Sequence, residues 1–375
     1  MNGTTVCIVC GAGMVSGKEV ISLALARGLR NAGWNPQFIT SRWNDGDFVR
    51  RLQGDGFSFE LLRLGFISAS LQPAPLMMTL DQMRYWPALA CGYTRLVAAS
   101  APRAVIHTNW HHMLLLLPFL DARRDILWLH DLLPVTRRYA HMLAMLANRV
   151  RRVVCVSRAA ARNAMALGVP ESRVTVVHSG LGPVDPIDAP AEQSTLRLGI
   201  VGQIGPWKGH DDLLEALALL ARDNEPVLLR IFGSGDPAYV ASLKRRAAEL
   251  GVLDRLEWRG YLSDQADIFR SIDVCVVPSR FEEPFGMSAL EANRFGRPVI
   301  CSARGGLPEV VEDGVTGFVV DANRPDRLAQ SIATYIRRPD LVKTMGAAAR
   351  RRAESRFSLT GFVERFTRVI EQAAA

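Results

Sequence analysis

Two glutamates with seven residues between them, Glu283 and Glu291, mark the chemically richest stretch of this 375-residue chain, which runs DVCVVPSRFEEPFGMSALEANRFGRPVICSARGGLPEVVEDGVTGFVVD from Asp273 to Asp321. An apolar run ends at Pro278, a loop carries Glu282, Glu283, Pro284, Phe285 and Gly286, and a helical pattern opens near Met287. Glycine at 286 lets the backbone come close to a ligand. The free N–H groups of Met287 and Ser288, with the helix dipole behind them, favour a phosphate there. The spacing of the two carboxylates corresponds to about 12 Å along an ideal helix. That exceeds the ~5–9.5 Å at which a carboxylate pair works on one glycosidic bond. It suits two ends of one long ligand, with sugar hydroxyls at one carboxylate, a ribose diol at the other and phosphates between. The alternative is a surface loop and a solvated helix glutamate.

Other loops could also meet a ligand. Gly11-Ala12-Gly13-Met14-Val15-Ser16-Gly17-Lys18 follows the first apolar run, and its glycines permit close approach. It is not a P-loop: Gly13 has three residues before Gly17-Lys18, Gly11 has five, and Glu19 follows where Ser or Thr is needed. It is not a dinucleotide fingerprint either, since three residues separate Gly13 from Gly17 and the second run ends Thr40-Ser41-Arg42 without an acid. A second glycine-rich turn, Gly202-Gln203-Ile204-Gly205-Pro206-Trp207-Lys208-Gly209, follows a later apolar run. Trp128-Leu129-His130-Asp131 closes another, and a histidine ending a strand of an α/β domain faces the ligand crevice, a structural histidine being the alternative. His107, Asn109 and Trp110 end the run before it and are expected to line an acceptor side. His111 and His112 are adjacent, so they do not share a helix face, and no metal site is expected there. Asp45-Gly46-Asp47 is read as turn chemistry rather than a metal motif.

The elements that must position these residues alternate between β-rich runs and helical patterns, which implies parallel sheets covered by helices. Candidate strands are Val6–Cys10, Pro36–Thr40, Phe59–Leu64, Ala104–Thr108, Ile126–His130, Arg152–Val156 and Val174–His178. After a proline-containing loop from Gly180 to Ala191 the pattern restarts with Leu196–Val201, Val227–Phe232, Leu256–Gly260, Val274–Pro278, Pro298–Cys301 and Gly317–Val320. The expected division is a first domain over 1–182, a linker over 183–195, a second domain over 196–356, and a terminal helix over 357–375. That helix, with Phe362, Phe366, Val369 and Ile370 on one face, is expected to pack back on the first domain.

Composition narrows the class without choosing a partner. Hydrophobic residues make up 49% and charged residues 22%, ordinary for a globular enzyme. The net charge of +8 tolerates anionic partners, but no nucleic-acid-binding motif is visible. The first residues carry neither a basic region nor a cleavage site, so no export signal is expected. The run Met113 to Leu117, extended to Leu120, falls far short of the ~20 residues of a spanning helix. The C-x-x-C of Cys7 and Cys10 sits in a strand-like run, as do Cys155, Cys275 and Cys301, which suits buried free thiols in a reducing cytosol. Arginines 137, 138, 149, 151 and 152 around the apolar stretch Tyr139 to Ala147 fit either a peripheral membrane contact at the inner face or a solvated amphipathic helix.

Glu283-Pro284-Phe285-Gly286, with Glu291 eight positions on and Gly305-Gly306-Leu307-Pro308-Glu309 behind, resembles the E-x7-E signature of the family-four retaining glycosyltransferases. The likeness extends over essentially the whole chain. It implies an α/β fold of GT-B type, two facing Rossmann-like doubly wound parallel-sheet domains with an interdomain cleft. It implies that Glu283 contacts the donor sugar, Glu291 holds the ribose hydroxyls, and Phe285, Gly286, Met287 and Ser288 surround the donor. Lys208 would neutralise the diphosphate beside Gly202, while Gln203 stands where the family usually has an arginine. Gly13 and Gly17 would lie near the donor's phosphates and sugar, and His130 would meet that sugar from the opposite domain. His130, Glu283 and Lys208 are the expected catalytic set. The implied activity is metal-independent, retaining transfer of a hexose from a UDP-, GDP- or ADP-sugar to a glycan, lipid-linked or small-molecule acceptor, in surface polysaccharide or glycoconjugate synthesis, in the cytoplasm and without a cofactor. The rival readings are a nicotinamide-dependent oxidoreductase, which leaves the Glu283–Glu291 block unexplained, a non-catalytic sugar-nucleotide-binding protein, and an epimerase or phosphorylase on the same fold.

Overall fold

The computed structural model describes residues 4–11, 15–65, 73–185, 187 and 194–372, without the side chains of 73–76. The described residues fall into two compact units, one reaching Gly182 and including those from Leu359 onward, the other spanning Pro183–Ser358. Most of the linker at 183–195 lies outside the described residues.

The first unit is built on seven strands: β1 Thr5–Val9, β2 Asn35–Ser41, β3 Ser58–Leu62, β4 Ala104–His107, β5 Asp125–Leu129, β6 Arg152–Cys155 and β7 Val174–Val176. They lie in the order β3-β2-β1-β4-β5-β6-β7, every pairing parallel. The second unit has six: β8 Leu196–Val201, β9 Val227–Phe232, β10 Leu256–Gly260, β11 Val274–Val277, β12 Val299–Ser302 and β13 Gly317–Val320. Their order is β10-β9-β8-β11-β12-β13, again all parallel. The first strand of each unit therefore sits between the second and the fourth. That reversal opens a crevice beyond the strands' carboxyl ends, where such sheets bind ligands.

The β-rich runs are strands because helices cover both faces, so nearly continuous apolar sequence is buried. Val6, Ile8, Val9, Val105, Ile106, Val153 and Val154 are wholly inaccessible in the first unit. Leu198, Val274, Val276 and Ile300 join Leu213, Leu217 and Ile332 from the flanking helices in the second. Strand ends shift slightly from the sequence expectation. β5 stops at Leu129, so His130 is the first residue beyond it, and β11 stops at Val277. β3 stops at Leu62, where Leu64 N donates back to the Leu62 carbonyl at 2.9 Å. The helix Leu359–Gln372 groups with the first unit. Trp128, at the core of that unit, packs against Phe362 and Phe366 with ring centroids 5.8 and 4.8 Å away.

The helix Arg137–Ala147 is amphipathic: Leu143, Leu146 and Ala147 are buried, while Arg137, Arg138 and His141 are exposed. No helix among the described residues is long and apolar enough to cross a membrane. Cys7, Cys10, Cys155, Cys275 and Cys301 are free and buried, and burial pushes the thiols of the first four up to about 12.

Candidate active site

In the second unit two loops beyond adjacent strands meet. The loop after β8 is tied to the loop after β9 through Gly202 N donating to the Phe232 carbonyl at 3.0 Å and Ile204 N to that of Ser234 at 2.8 Å. It then tightens into a 3₁₀ turn, Pro206–Lys208, which proline starts because its fixed φ and missing N–H suit a first helical position. Gly209 ends the turn at φ +75° and caps the helix His210–Arg222. A Cβ at 209 would lie 1.9 Å from the Pro278 carbonyl oxygen, so only glycine lets the two loops touch.

The contact brings Lys208 to Glu283, 75 residues away: Lys208 Nζ donates to Glu283 Oε1. Ser279 Oγ donates to the same oxygen at 2.7 Å. Both charged side chains remain partly accessible, Lys208 at 27% and Glu283 at 16%. From the other side, Gly306 N donates to the Glu283 carbonyl at 2.7 Å, and Gly305 N to Glu282 Oε2 at 2.5 Å. Gly202, Gln203, Lys208, His210, Ser279 and Ser288 line one recess at the ends of β8 and β11.

Gly286, at φ +108°, caps the helix Met287–Arg294. A side chain there would be strained and would run into Leu307. The intrahelical ladder opens with Leu290 N donating to the Gly286 carbonyl at 3.1 Å, so the N–H groups of Met287 and Ser288 precede it. Phe285 is buried edge-on to Phe357, with centroids 5.7 Å apart. Its ring anchors the loop against that residue. Glu291 lies on the second turn of that helix, and burial raises its carboxyl to about 7 against the opposing pull of Gln265 and Arg294.

Two groups of residues at this edge escaped the sequence reading. His210 is 4% exposed and burial lowers its imidazole to about 4, so a neutral ring lines the recess beside Lys208. Arg280 lays its guanidinium on Asp212, with Nε 2.8 Å from Oδ2 and Nη2 2.7 Å from Oδ1. A basic residue next to Ser279 and an acid four positions after Lys208 were the available signals, but nothing in their spacing joined them.

The corresponding edge of the first unit is different in character. Gly13 lies outside the described residues. Gly17 begins the helix Gly17–Asn31, whose N-cap Ser16 donates through N and Oγ to Glu19 Oε2 at 2.9 and 2.5 Å. His130 lies against the Trp128 ring, centroids 4.4 Å apart, and burial holds its imidazole well below the ordinary value, with Lys18 pushing the same way. Its Nε2 is buried and has no hydrogen-bond partner among the described residues. Trp110 stacks on His111 at 3.4 Å and bonds Asp131, whose carboxyl burial raises.

The expectation that His107 and Asn109 line an acceptor side does not fit their surroundings. His107 is in the core, its Nε2 2.5 Å from Asp125 Oδ1 with both side chains fully buried. Asn109 spends its Oδ1 accepting His111 N at 2.9 Å, capping the helix Trp110–Leu116. Trp110 alone of the three is partly accessible. Asp45 Oδ1 accepts Asp47 N at 2.9 Å, and Asp47 pairs with Arg51, so both serve their own turn.

Comparison with known proteins places the chain. The sequence model described as "Glycosyltransferase Family 4" matches residues 15–183, and that described as "Glycosyl transferases group 1" matches residues 189–352. The chain belongs to the family-four glycosyltransferases, of GT-B type. It is 37% identical over 164 residues to the D-inositol 3-phosphate glycosyltransferase of Streptomyces griseus, covering 41% of this chain and 34% of that protein. To the Thermobispora bispora protein of the same name it is 34% identical over 225 residues, covering 54% and 51%. The chain thus spans between a third and about half of the length of these relatives. Among solved structures, Anabaena Alr3699/HepE in complex with UDP and glucose superposes with a TM-score of 0.79 at 22% identity, covering 98% of this chain and all of that one.

Proposed function

We propose that this protein transfers a hexose from a nucleotide diphosphate sugar to an acceptor with retention of the anomeric configuration and without a metal ion. The observation that carries the reading is the pairing of Lys208 with Glu283 beside the start of the helix Met287–Arg294. A cation, a carboxylate and free helix N–H groups thus converge where a diphosphate and its sugar would sit, and Glu291 follows on the same helix for the ribose. UDP and glucose bound to the Anabaena neighbour, and family membership, support a sugar-nucleotide donor. In this reading the bond from the anomeric carbon to the diphosphate oxygen breaks as the acceptor oxygen bonds on the same face. The departing phosphate oxygen takes the acceptor's proton, and Lys208 with the N–H groups of Met287 and Ser288 stabilises the developing charge. The acceptor is a glycan, a lipid-linked sugar or a small polyol, the last being the class named for the inositol phosphate relatives.

A thermal-shift screen of UDP-, GDP- and ADP-sugars identifies the donor. Proton NMR of the first-turnover product with the best donor, in the presence of EDTA, then tests the chemistry. A product anomer matching the donor is expected at undiminished rate. An inverted linkage, or activity restored only by manganese or magnesium, would overturn the proposal.

A further inference from the structure

Two aspartates follow the lysine closely. Asp211 and Asp212 sit in the first turn of the helix His210–Arg222, where acidic side chains favour the helix dipole. They lie three and four positions after Lys208 in the chain. Arg280 occupies them. Its fork takes both oxygens of Asp212, which is 5% exposed, and its Nη1 lies 3.9 Å from Asp211 Oδ2. Tyr239 OH donates to that Asp211 oxygen at 2.8 Å. The backbone of Arg280 also docks on the lysine's turn, its N–H donating to the Trp207 carbonyl at 2.9 Å. Ser279 and Glu283, on either side of Arg280 in the chain, meet at 2.7 Å.

We infer that Arg280 is a positioning residue for the phosphate-binding lysine: forked on Asp212 and docked by its backbone on Trp207, it fastens the Glu283 loop to the Lys208 turn and so holds the lysine in place for the ligand. The inference rests on the reading of this recess as a diphosphate site. A bidentate guanidinium–carboxylate pair fixes direction as well as charge, which a lysine cannot reproduce. Removing the guanidinium leaves a nearly buried carboxylate without its charged partner and loosens the tie between the Glu283 loop and the helix that follows the Lys208 turn.

The test is a double-mutant cycle on the full chain, with UDP, GDP and ADP as probes in calorimetry. Arg280→Gln is expected to weaken the tightest of the three diphosphates about ten- to a hundredfold, the scale of a charged hydrogen bond. Asp212→Asn in the same chain should restore most of that loss, because no charge then needs a partner. In a Lys208→Ala background Arg280→Gln should cost less than about twofold, since the group it serves is gone. Arg280→Lys, which keeps the charge and loses the fork, should fall between Arg280→Gln and the native chain, and serves if Arg280→Gln does not fold. A merely structural arginine would lower the melting temperature, cost the same in both lysine backgrounds and not be rescued at Asp212. Affinity within about twofold of native for Arg280→Gln, or failure of Asp212→Asn to rescue it, overturns the inference alone. Unchanged affinity in Lys208→Ala, or a native chain that binds none of the three, overturns the diphosphate reading and the inference with it.

Discussion

The carboxyl edges of the two sheets share a strand order but hold opposite kinds of polar group. Beyond β8 and β11 charged side chains are paired with one another, Lys208 with Glu283 and Arg280 with the nearly buried Asp212, beside the neutral ring of His210. Beyond β4 and β5 the side chains are imidazoles stripped of charge, with His112 lowered to about 3 by burial and His130 also well below its ordinary value. Burial neutralises a lone titratable group and spares one that has a partner. Neutral rings can orient hydroxyls but not balance a diphosphate, and the cation whose field reaches them is Lys18. An edge of exchangeable ion pairs can balance a diphosphate, because an arriving phosphate replaces a carboxylate already in place. The difference teaches that one strand order does not make the two crevices equivalent, and the proposed function assigns the diphosphate to the paired edge of the second unit.

The strongest challenge to that division is Lys208→Ala. It should weaken nucleoside diphosphate binding and cut transfer by about a hundredfold or more, the upper range for a hydrogen bond to a charged group. His130→Ala should leave diphosphate affinity within about threefold, since a neutral ring contributes no charge. Calorimetry finding the two variants equally impaired in diphosphate binding would erase the distinction between the edges.

Glu283 separates charge balance from sugar recognition. Glu283→Gln should lower transfer about ten- to a hundredfold through the lost charged acceptor. It also releases Lys208, so diphosphate affinity should hold or rise by up to about fivefold, the modest worth of a partly exposed ion pair. Weaker diphosphate binding alongside the slower transfer would mean that Glu283 supports the phosphates rather than the sugar.

Much of this arrangement is legible in the sequence. All thirteen strands among the described residues are visible as short β-rich runs because both faces of a parallel sheet are buried, and the loop-to-helix junction at Gly286 shows in local sequence. What stayed hidden is long-range. Lys208 meets Glu283 and Arg280 meets Asp212 across 75 and 68 positions, contacts that exist because β11 lies beside β8. Periodicity reports which face of an element is buried, not which loop its end will touch. His107 misled for a related reason. A histidine closing a strand looks the same in sequence whether it opens on a crevice or, as here, turns into the core against Asp125.

Glu291 should make nucleotide binding depend on pH. Its carboxyl, raised to about 7, is largely protonated at pH 6 and largely ionised at pH 8. In the proposed reading the ionised form accepts the ribose hydroxyls, so affinity should rise with pH across that window by about tenfold at most, and binding near pH 7 should release a proton. Glu291→Gln should flatten the slope without inverting it. Calorimetry in buffers of differing ionisation enthalpy reads both quantities. Affinity that falls as pH rises, with the nucleotide's own phosphate titration subtracted by the variant, would place the ribose elsewhere.

The smallest expected effect sharpens the comparison most finely. Gln203 is exposed at the rim of the charged recess, where the resembled family usually has an arginine. An amide can donate a hydrogen bond but cannot offset charge, so in the proposed reading the phosphate load falls on Lys208, positioned by Arg280. Gln203→Ala should therefore cost only the worth of one neutral hydrogen bond, ~0.5–1.5 kcal/mol. Gln203→Arg should tighten the product diphosphate, and where product release limits turnover it should slow the rate while lowering KM. Binding isotherms for both variants, beside steady-state rates, separate these effects. If Gln203→Ala is as damaging as Lys208→Ala, charge is not what distinguishes this edge. The recess would then hold its ligand through a neutral hydrogen-bond network, as the imidazole edge of the first unit would.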